Sequence, residues 1–468
     1  MPKQLTFIHA ADLHLGAPFR GLRALSDTWA RRLETAIPEA YDRVVKAAID
    51  RKVDFVVIAG DIFDTARPSY ADFLHFFDGL RTLDAANIPV YLVAGNHDPY
   101  TSWRKDFAKF PPNVHMFGAD KPTFELFERD GEPLCLLGGR GYYNQTWPQD
   151  KDVSEGITRA AAVEALVAAE RSGAVLPASA PRHAAANASE AQAAVSVAAH
   201  AGRSASWNAR AAAIEAAPFA VGVIHTGLDQ DASKAPTSPR GLLGRGIDYW
   251  ACGHIHKRYA FPSVEDPRVV FSGCIQGRDI KESGPRGCYL VTLEQGKSPS
   301  LEFVPTASVV WKKMKVDVSD CQTLVDVHDT ILRNMFLENG KAECEEMCVR
   351  VTLTGETPLH ETLQHPRLLE DLRESINSSY AVFFCDTLID STTAPLDKRA
   401  LRNEELFPAL FMNVADYERN NKDELVAALQ DDFIELGIAV PKVLSKHMEK
   451  YITDAENMVL DLLVKAQQ

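Results

Sequence analysis

The chain has 468 residues, 46% apolar and 24% charged, which is too long for one ordinary domain and has the composition of a soluble globular protein. No run approaches the roughly 18 uncharged apolar residues of a spanning helix, so no membrane-spanning helix is expected. The net charge of −14 argues against a basic nucleic-acid binder, but it is unevenly placed. Residues 307–468 hold 29 acidic against 17 basic residues, a net of −12. Subtraction from the totals of 64 and 50 leaves 35 and 33 for residues 1–306, a net of −2.

The start of the chain has no cleavable signal pattern, because its short apolar stretch runs straight into His9 and Asp12. The eight cysteines are scattered, and a reduced, cytoplasmic protein is expected. Cys344, Cys348, His360 and His365 come near a zinc-finger spacing, but a strand-like run, Val349–Thr354, separates the pairs, so a zinc site is not expected there.

In the first 150 residues, Leu5–Ala11, Val53–Ala59 and Ile88–Ala94 read as buried strands, spaced by amphipathic stretches such as Ala30–Arg51. Each strand ends in a polar cluster, where open α/β sheets place their sites. Residues 160–217 break this pattern with 26 alanines, and about 156–217 reads as an insertion with a low-complexity centre. Strand signals resume at Ala220–Ile224 and Tyr249–Cys252. A boundary is expected near 306, dividing a domain over 1–306 from a small α+β cap over 307–395. In the cap, strands are expected at Met314–Val318, Val349–Thr354 and Ala381–Cys385, and helices at Thr323–Leu337 and Pro366–Ile376. A C-terminal helical segment over 396–468 ends in a helix at Pro441–Lys465, with Leu444, Met448, Tyr451, Ile452, Ala455, Val459 and Leu462 as its apolar stripe. That stripe packs on its own domain or docks on a partner.

The polar clusters carry the chemistry. Phosphodiester hydrolysis needs a strong nucleophile at neutral pH and charge neutralisation at the phosphate, which two cations about 4 Å apart supply with a hydroxide between them. Such a centre needs a bridging carboxylate, with imidazoles and oxygens in the other positions. The chain offers, in order, Asp12-x-His14, Gly60-Asp61-x-x-Asp64, Gly95-Asn96-His97-Asp98, the strand-terminal His225 and Gly253-His254-x-His256. Singly, each is an ordinary polar strand end. Together, in this order, they are not.

These five motifs resemble those of the calcineurin-like metallophosphoesterases. The branch most similar is that of the bacterial DNA repair exonucleases, SbcD-type and YhaO-like, on Ile8–Gly16, Gly60–Thr65, Gly253–Arg258 and Ser272–Arg278. The resemblance covers about 1–155 and 218–295, and more loosely the cap. It implies an α/β fold in which a β-sandwich is flanked by helices, followed by the cap and the C-terminal helices. It also implies one cation on Asp12, His14, Asp61 and His256 and a second on Asp61, Asn96, His225 and His254. His97 faces the scissile phosphate, and Asp98 orients it and raises its basicity. The donor set suits manganese, iron or zinc, and the resemblance favours manganese.

His9 and Cys252 are taken as core residues, and Arg20, Lys257, Arg258 and Arg278 as possible phosphate contacts. The function implied is a metal-dependent DNA repair nuclease, with an SbcC-type coiled-coil ATPase as partner and a homodimer through the first domain. The alternative is a phosphodiesterase acting on a small molecule or nucleotide. A protein phosphatase of this type carries Arg after Asp64, where this chain has Thr65. A non-catalytic scaffold is disfavoured because neither His97 nor any ligand position is missing.

Overall fold

The computed structural model describes residues 3–18, 26–103, 109–171, 199–342, 344–395, 407–435 and 444–467. The chain divides into two compact units, one of Met1–Trp311 with Cys344–Glu346, the other of Lys312–Glu343 with Met347–Gln468. Arg20 and the centre of the alanine-rich stretch lie outside the described residues.

The first unit contains β1 (Gln4–Ala10), β2 (Phe55–Ala59), β3 (Val90–Val93), β4 (Val114–Met116), β5 (Thr123–Arg129) and β6 (Glu132–Arg140). It continues with β7 (Phe219–His225), β8 (Tyr249–Gly253), β9 (Tyr259–Pro262), β10 (Pro267–Phe271), β11 (Gly287–Glu294) and β12 (Ser300–Pro305). They form two six-stranded sheets, in the orders β12-β11-β1-β2-β3-β4 and β5-β6-β7-β8-β10-β9. In the first, β1 to β4 are parallel and β11 returns antiparallel on β1; in the second, β6, β7, β8 and β10 are parallel.

Central strands such as β2 (Phe-Val-Val-Ile-Ala) and β7 are buried on both faces, which is why they read as unbroken apolar runs. One core joins the two sheets: Leu5, Phe7, Phe55 and Val57 from the first meet Leu137, Val221, Val223 and Tyr249 from the second. Outer faces are covered by helices, among them α1 (Asp27–Asp50) and α2 (Tyr70–Ala85), whose N-termini are capped by Ser26 and Ser69. Helices α3 (Arg159–Arg171) and α4 (Ala199–Ala216) flank the undescribed part of the insertion, and Ala162 and Ile214 join the second sheet's outer core.

Strands β13 (Val309–Asp317), β14 (Glu346–Glu356) and β15 (Phe383–Thr393), which but for the first residues of β13 and β14 belong to the second unit, form a three-stranded sheet. Strands β14 and β15 are parallel, joined through a short helix α6 (His360–Leu363) and α7 (Pro366–Ser379). Helix α5 (Leu324–Ala342) buries Val327, Ile331, Leu332 and Met335. His360, weighed above as a possible ligand, is buried against Thr392 and Gln364. The terminal helices are α8 (Phe407–Asn420), α9 (Lys422–Glu435) and α10 (Met448–Gln467). The last helix starts at Met448, after a turn at Ser445–His447, and not at Pro441, which lies outside the described residues. Its stripe is split. Leu444, Met448 and Ile452 pack with Ala415, whereas Tyr451 and Leu462 are exposed. No helix among the described residues is long and apolar enough to cross a membrane.

Candidate metal centre

The site lies where parallel strands of both sheets end. Asp12 and His14 follow β1, Asp61 follows β2, Asn96 to Asp98 follow β3, His225 closes β7, and His254 and His256 follow β8. The backbone there is unusual: Asp12, His14, Asp61 and His254 have positive φ (52°, 50°, 50° and 98°). Left-handed non-glycine residues cost free energy and persist where surrounding structure holds them. Glycines let the loops close up. A Cβ on Gly95 would stand 2.1 Å from Asp61 Oδ1, and one on Gly253 would stand 1.9 Å from Ala59 O.

All seven expected ligand positions meet. His14 Nε2 and His256 Nε2 are 3.0 Å apart. Asp61 Oδ2 lies 3.9 Å from His14 Nε2 and 3.3 Å from His225 Nε2, so one oxygen faces an imidazole from each half of the site. Asn96 Oδ1 lies 3.2 Å from His225 Nε2 and 3.1 Å from His254 Nδ1. Asp12 Oδ1 accepts from His254 N at 2.8 Å, and Asp12 Oδ2 is buried with no hydrogen-bond partner. Among the described residues, Asp12–His14–His256 and Asp61–His225–His254 each bring donor atoms within 4.8 Å of one another, as do His14–Asp64–His97 and His256–Cys274–Glu282.

The other ring nitrogens are tied outward. His14 Nδ1 bonds Asp64 at 3.1 Å, His225 Nδ1 bonds Ala59 O at 2.8 Å, and His256 Nδ1 bonds Glu282 at 2.6 Å. His254 Nε2 faces Asp231 at 3.5 Å. A neutral imidazole that donates through one nitrogen offers a lone pair at the other. The site therefore directs unshared pairs and carboxylate oxygens inward at ligand–ligand spacings, and it fits two divalent cations.

The electrostatics agree. Burial opposes charge on His225, but Asp61 and Asp12 outweigh it and raise the imidazole to about 9. Burial and the neighbouring His225 charge lower His254 to about 4. Asp61 is buried, yet His225 and His14 hold it well below the usual carboxylate range. The field at Asp61 thus draws positive charge, for which a proton on His225 and a cation compete.

His97 is half-buried; its Nδ1–H donates to Asp64 O at 2.8 Å, leaving Nε2 free, and its ring lies edge-on to His14 at 5.0 Å. The expected pairing of Asp98 with His97 does not form. Asp98 accepts from Gly95 N at 2.9 Å, Ile62 N at 3.0 Å and Phe63 N at 3.4 Å, so its carboxylate ties two site loops together. Burial and then the Asp61 charge push Asp98 up to about 8.

Arg278 is also not a free phosphate contact. Its guanidinium donates to Asp64 at 2.9 Å and reaches Glu282 at 3.3 Å, the two carboxylates that hold His14 and His256. Lys257 and Arg258 are exposed, and Arg258 lies over the Phe303 ring at 3.9 Å. His9 is buried on Tyr249 OH at 2.9 Å, and Cys252 is fully buried. Sequence reasoning missed Glu282 and Asp231. Neither sits in a motif beside its histidine, and only the fold brings them there.

The sequence has counterparts elsewhere. Residues 5–258 match the model of the calcineurin-like phosphoesterases. The chain belongs to this family. Residues 311–393 of this metallophosphoesterase match a second model, the middle domain of metallophosphoesterase YhaO. The chain is 30% identical to the uncharacterized metallophosphoesterase YhaO of Bacillus subtilis (strain 168) over 362 residues, 76% of this chain and 74% of that protein. It is 37% identical over 148 residues to the DNA double-strand break repair protein Mre11 of Methanosarcina mazei, covering 28% of this chain and 23% of that one. Against the SbcD component of the nuclease SbcCD of Bacillus subtilis it is 33% identical over 95 residues, 20% of this chain and 22% of the relative.

Proposed function

We propose that this metallophosphoesterase hydrolyses phosphodiester bonds in DNA as a repair nuclease. The supporting observation is that Asp61 Oδ2 faces His225 and His14 together, beside an imidazole whose free nitrogen is available for proton transfer. One cation would be held by Asp12, His14, Asp61 and His256 and the other by Asp61, Asn96, His225 and His254, with manganese, iron or zinc all compatible. When bound, the cations supply a nucleophile at neutral pH and offset the charge of the phosphate.

The chain's own residues do the rest. His14, His225 and His256 are held in orientation by their outward partners, and the proton that Asp61 stabilises on His225 must leave before its Nε2 can ligate. His97 is steered by the Asp64 carbonyl so that Nε2, once protonated, can donate to the leaving oxygen. Asp98 holds the loop bearing His97 rather than the ring itself.

The relatives' names, a double-strand break repair protein and a component of a nuclease, support DNA as substrate and an SbcC-type ATPase as partner. The exposed Tyr451, Met458 and Leu462 of α10 supply a candidate surface for that partner. Residues 307–468, net −12, support a DNA grip that comes mainly from another protein. The same acidity supports the second reading, a phosphodiesterase for a small molecule or nucleotide. A cytoplasmic location and a homodimer belong to the first proposal.

The test is cleavage of end-labelled duplex DNA with manganese, beside His97→Ala and a small chromogenic phosphodiester. Loss of duplex cleavage in the variant supports the nuclease. Hydrolysis of the small diester alone, also with the ATPase added, transfers the substrate to the second reading.

A further inference from the structure

The loop carrying Asn96, His97 and Asp98 is fastened at both ends to the segment that follows β6. Tyr142 N donates to Ala94 O at 3.0 Å, Tyr100 N to Tyr142 O at 2.8 Å, and Thr101 N to Tyr143 O at 3.2 Å. Gly141 permits this approach, since a Cβ there would stand 2.6 Å from Ala94 N. Trp103 Nε1 donates to Asp98 O at 2.9 Å and fixes the loop's far side. The arc from Ala94 to Thr101 is therefore rigid, and it carries both site residues and Tyr100.

The two tyrosines after β6 point to different surroundings. Tyr142 is fully buried, with its ring edge-on to His225 at 5.7 Å. Tyr143 is 45% exposed and Tyr100 is 36% exposed, and their rings lie nearly parallel, 17° apart, with centroids 6.5 Å apart. A lone exposed aromatic is ordinary. Two held parallel by three backbone hydrogen bonds, on the loop of His97 and beside the residue that packs on His225, are not accounted for by core packing.

We propose that Tyr100 and Tyr143 form a stacking site for a nucleobase of the substrate, flanking the scissile phosphate. This rests on the nucleotide phosphodiester reading above. Tyr100 is the third residue after His97, a span of at most about 11 Å of chain. That is the reach of a base one or two nucleotides from the phosphate at His97. The chemistry fits the charge distribution. Residues 1–306 carry a net charge of only −2, so no excess of basic residues draws a phosphate backbone across this unit. Stacking on aromatic faces supplies affinity that needs no positive charge and tolerates any base sequence.

The test compares a short oligothymidylate with a strand of equal length built from abasic tetrahydrofuran units. Binding is read by fluorescence anisotropy in chelator, and KM by hydrolysis with manganese. The wild-type chain is expected to bind the base-bearing strand about tenfold more tightly. Tyr100→Ala and Tyr143→Ala should bring that ratio towards one, while Tyr100→Phe and Tyr143→Phe retain it. Affinity for the abasic strand should stay at the wild-type value in all four variants, which shows that the fold is retained and makes a surviving ratio decisive.

Equal binding of the two strands by the wild type, or a ratio that survives both alanine substitutions, overturns the proposal. A wild type that prefers the base-bearing strand but hydrolyses neither keeps the stacking site and sinks the nuclease reading. One that hydrolyses both strands with equal KM does the reverse. Thymidine 5′-p-nitrophenyl phosphate identifies the source of the base. If its KM rises in Tyr143→Ala, the base belongs to a free nucleotide as well as to a strand.

Discussion

Glu282 lies 2.6 Å from His256 Nδ1, and Arg278 links that carboxylate to Asp64, which holds His14. One half of the centre thus has both imidazoles backed by carboxylates. The other half has His225 on a backbone carbonyl and His254 facing an Asp231 whose side chain is 45% exposed. A carboxylate behind an imidazole raises its basicity as a ligand, and losing such a partner weakens metal binding about 10- to 100-fold. Glu282→Gln is therefore expected to weaken one of two manganese-binding events by about that factor in titration calorimetry. Asp231→Asn should touch only the other event, and by less, because its partner is solvated. Two unaltered binding events in Glu282→Gln would show that the carboxylate is not orienting a ligand.

His97 calls for a different signature. It bonds the Asp64 carbonyl through Nδ1 and stands outside the two ligand clusters proposed above. His97→Ala is expected to lower kcat by about 10²- to 10⁴-fold, the usual worth of a positioned proton donor, while calorimetric manganese binding stays within the error of the wild type. Loss of a binding event would make His97 a ligand instead.

Much of this site was legible in the sequence because its residues sit at the ends of strands, where short apolar runs stop at polar clusters. The runs at β1, β2, β3, β7 and β8 stand out because these strands are buried on both faces. Strands β4 and β5 are only partly buried, so they carry no such run and were not anticipated. The partners of the histidines were legible only in part. Asp64 falls within a motif, whereas Glu282 closes a 3₁₀ turn 26 residues beyond His256 and meets it through the fold. Asp98 differs from its expected role. The family resemblance implied a pair with His97, but in the loop its carboxylate turns to the amides of Gly95, Ile62 and Phe63.

That geometry makes Asp98 a structural residue with a consequence for stability. Asp98→Ala leaves three buried amides without an acceptor, and each such loss costs about 1–3 kcal/mol. The denaturant midpoint is expected to fall clearly, by at least about 2 kcal/mol in unfolding free energy. A variant of native stability that has lost only catalysis would restore the pairing of Asp98 with His97.

Chelation should destabilise the phosphoesterase unit through Asp61 and Asp12. Both are about 1% exposed, and Asp12 Oδ2 has no hydrogen-bond partner. Buried carboxylates of this kind are costly unless paired or coordinated. A cation that binds only the folded chain stabilises it by about 2.7 kcal/mol when its free concentration is a hundredfold above Kd. The thermal midpoint is therefore expected to rise with added manganese and to fall with chelator. Asp61→Asn supplies the control. It removes the charge that both clusters share and that His225 pairs with at 3.3 Å, so its midpoint without metal should fall below that of the wild type, and its response to manganese should be nearly flat. A full manganese-dependent rise in Asp61→Asn would mean that the stabilising cation binds elsewhere, and the bridging role of Asp61 would fall with it.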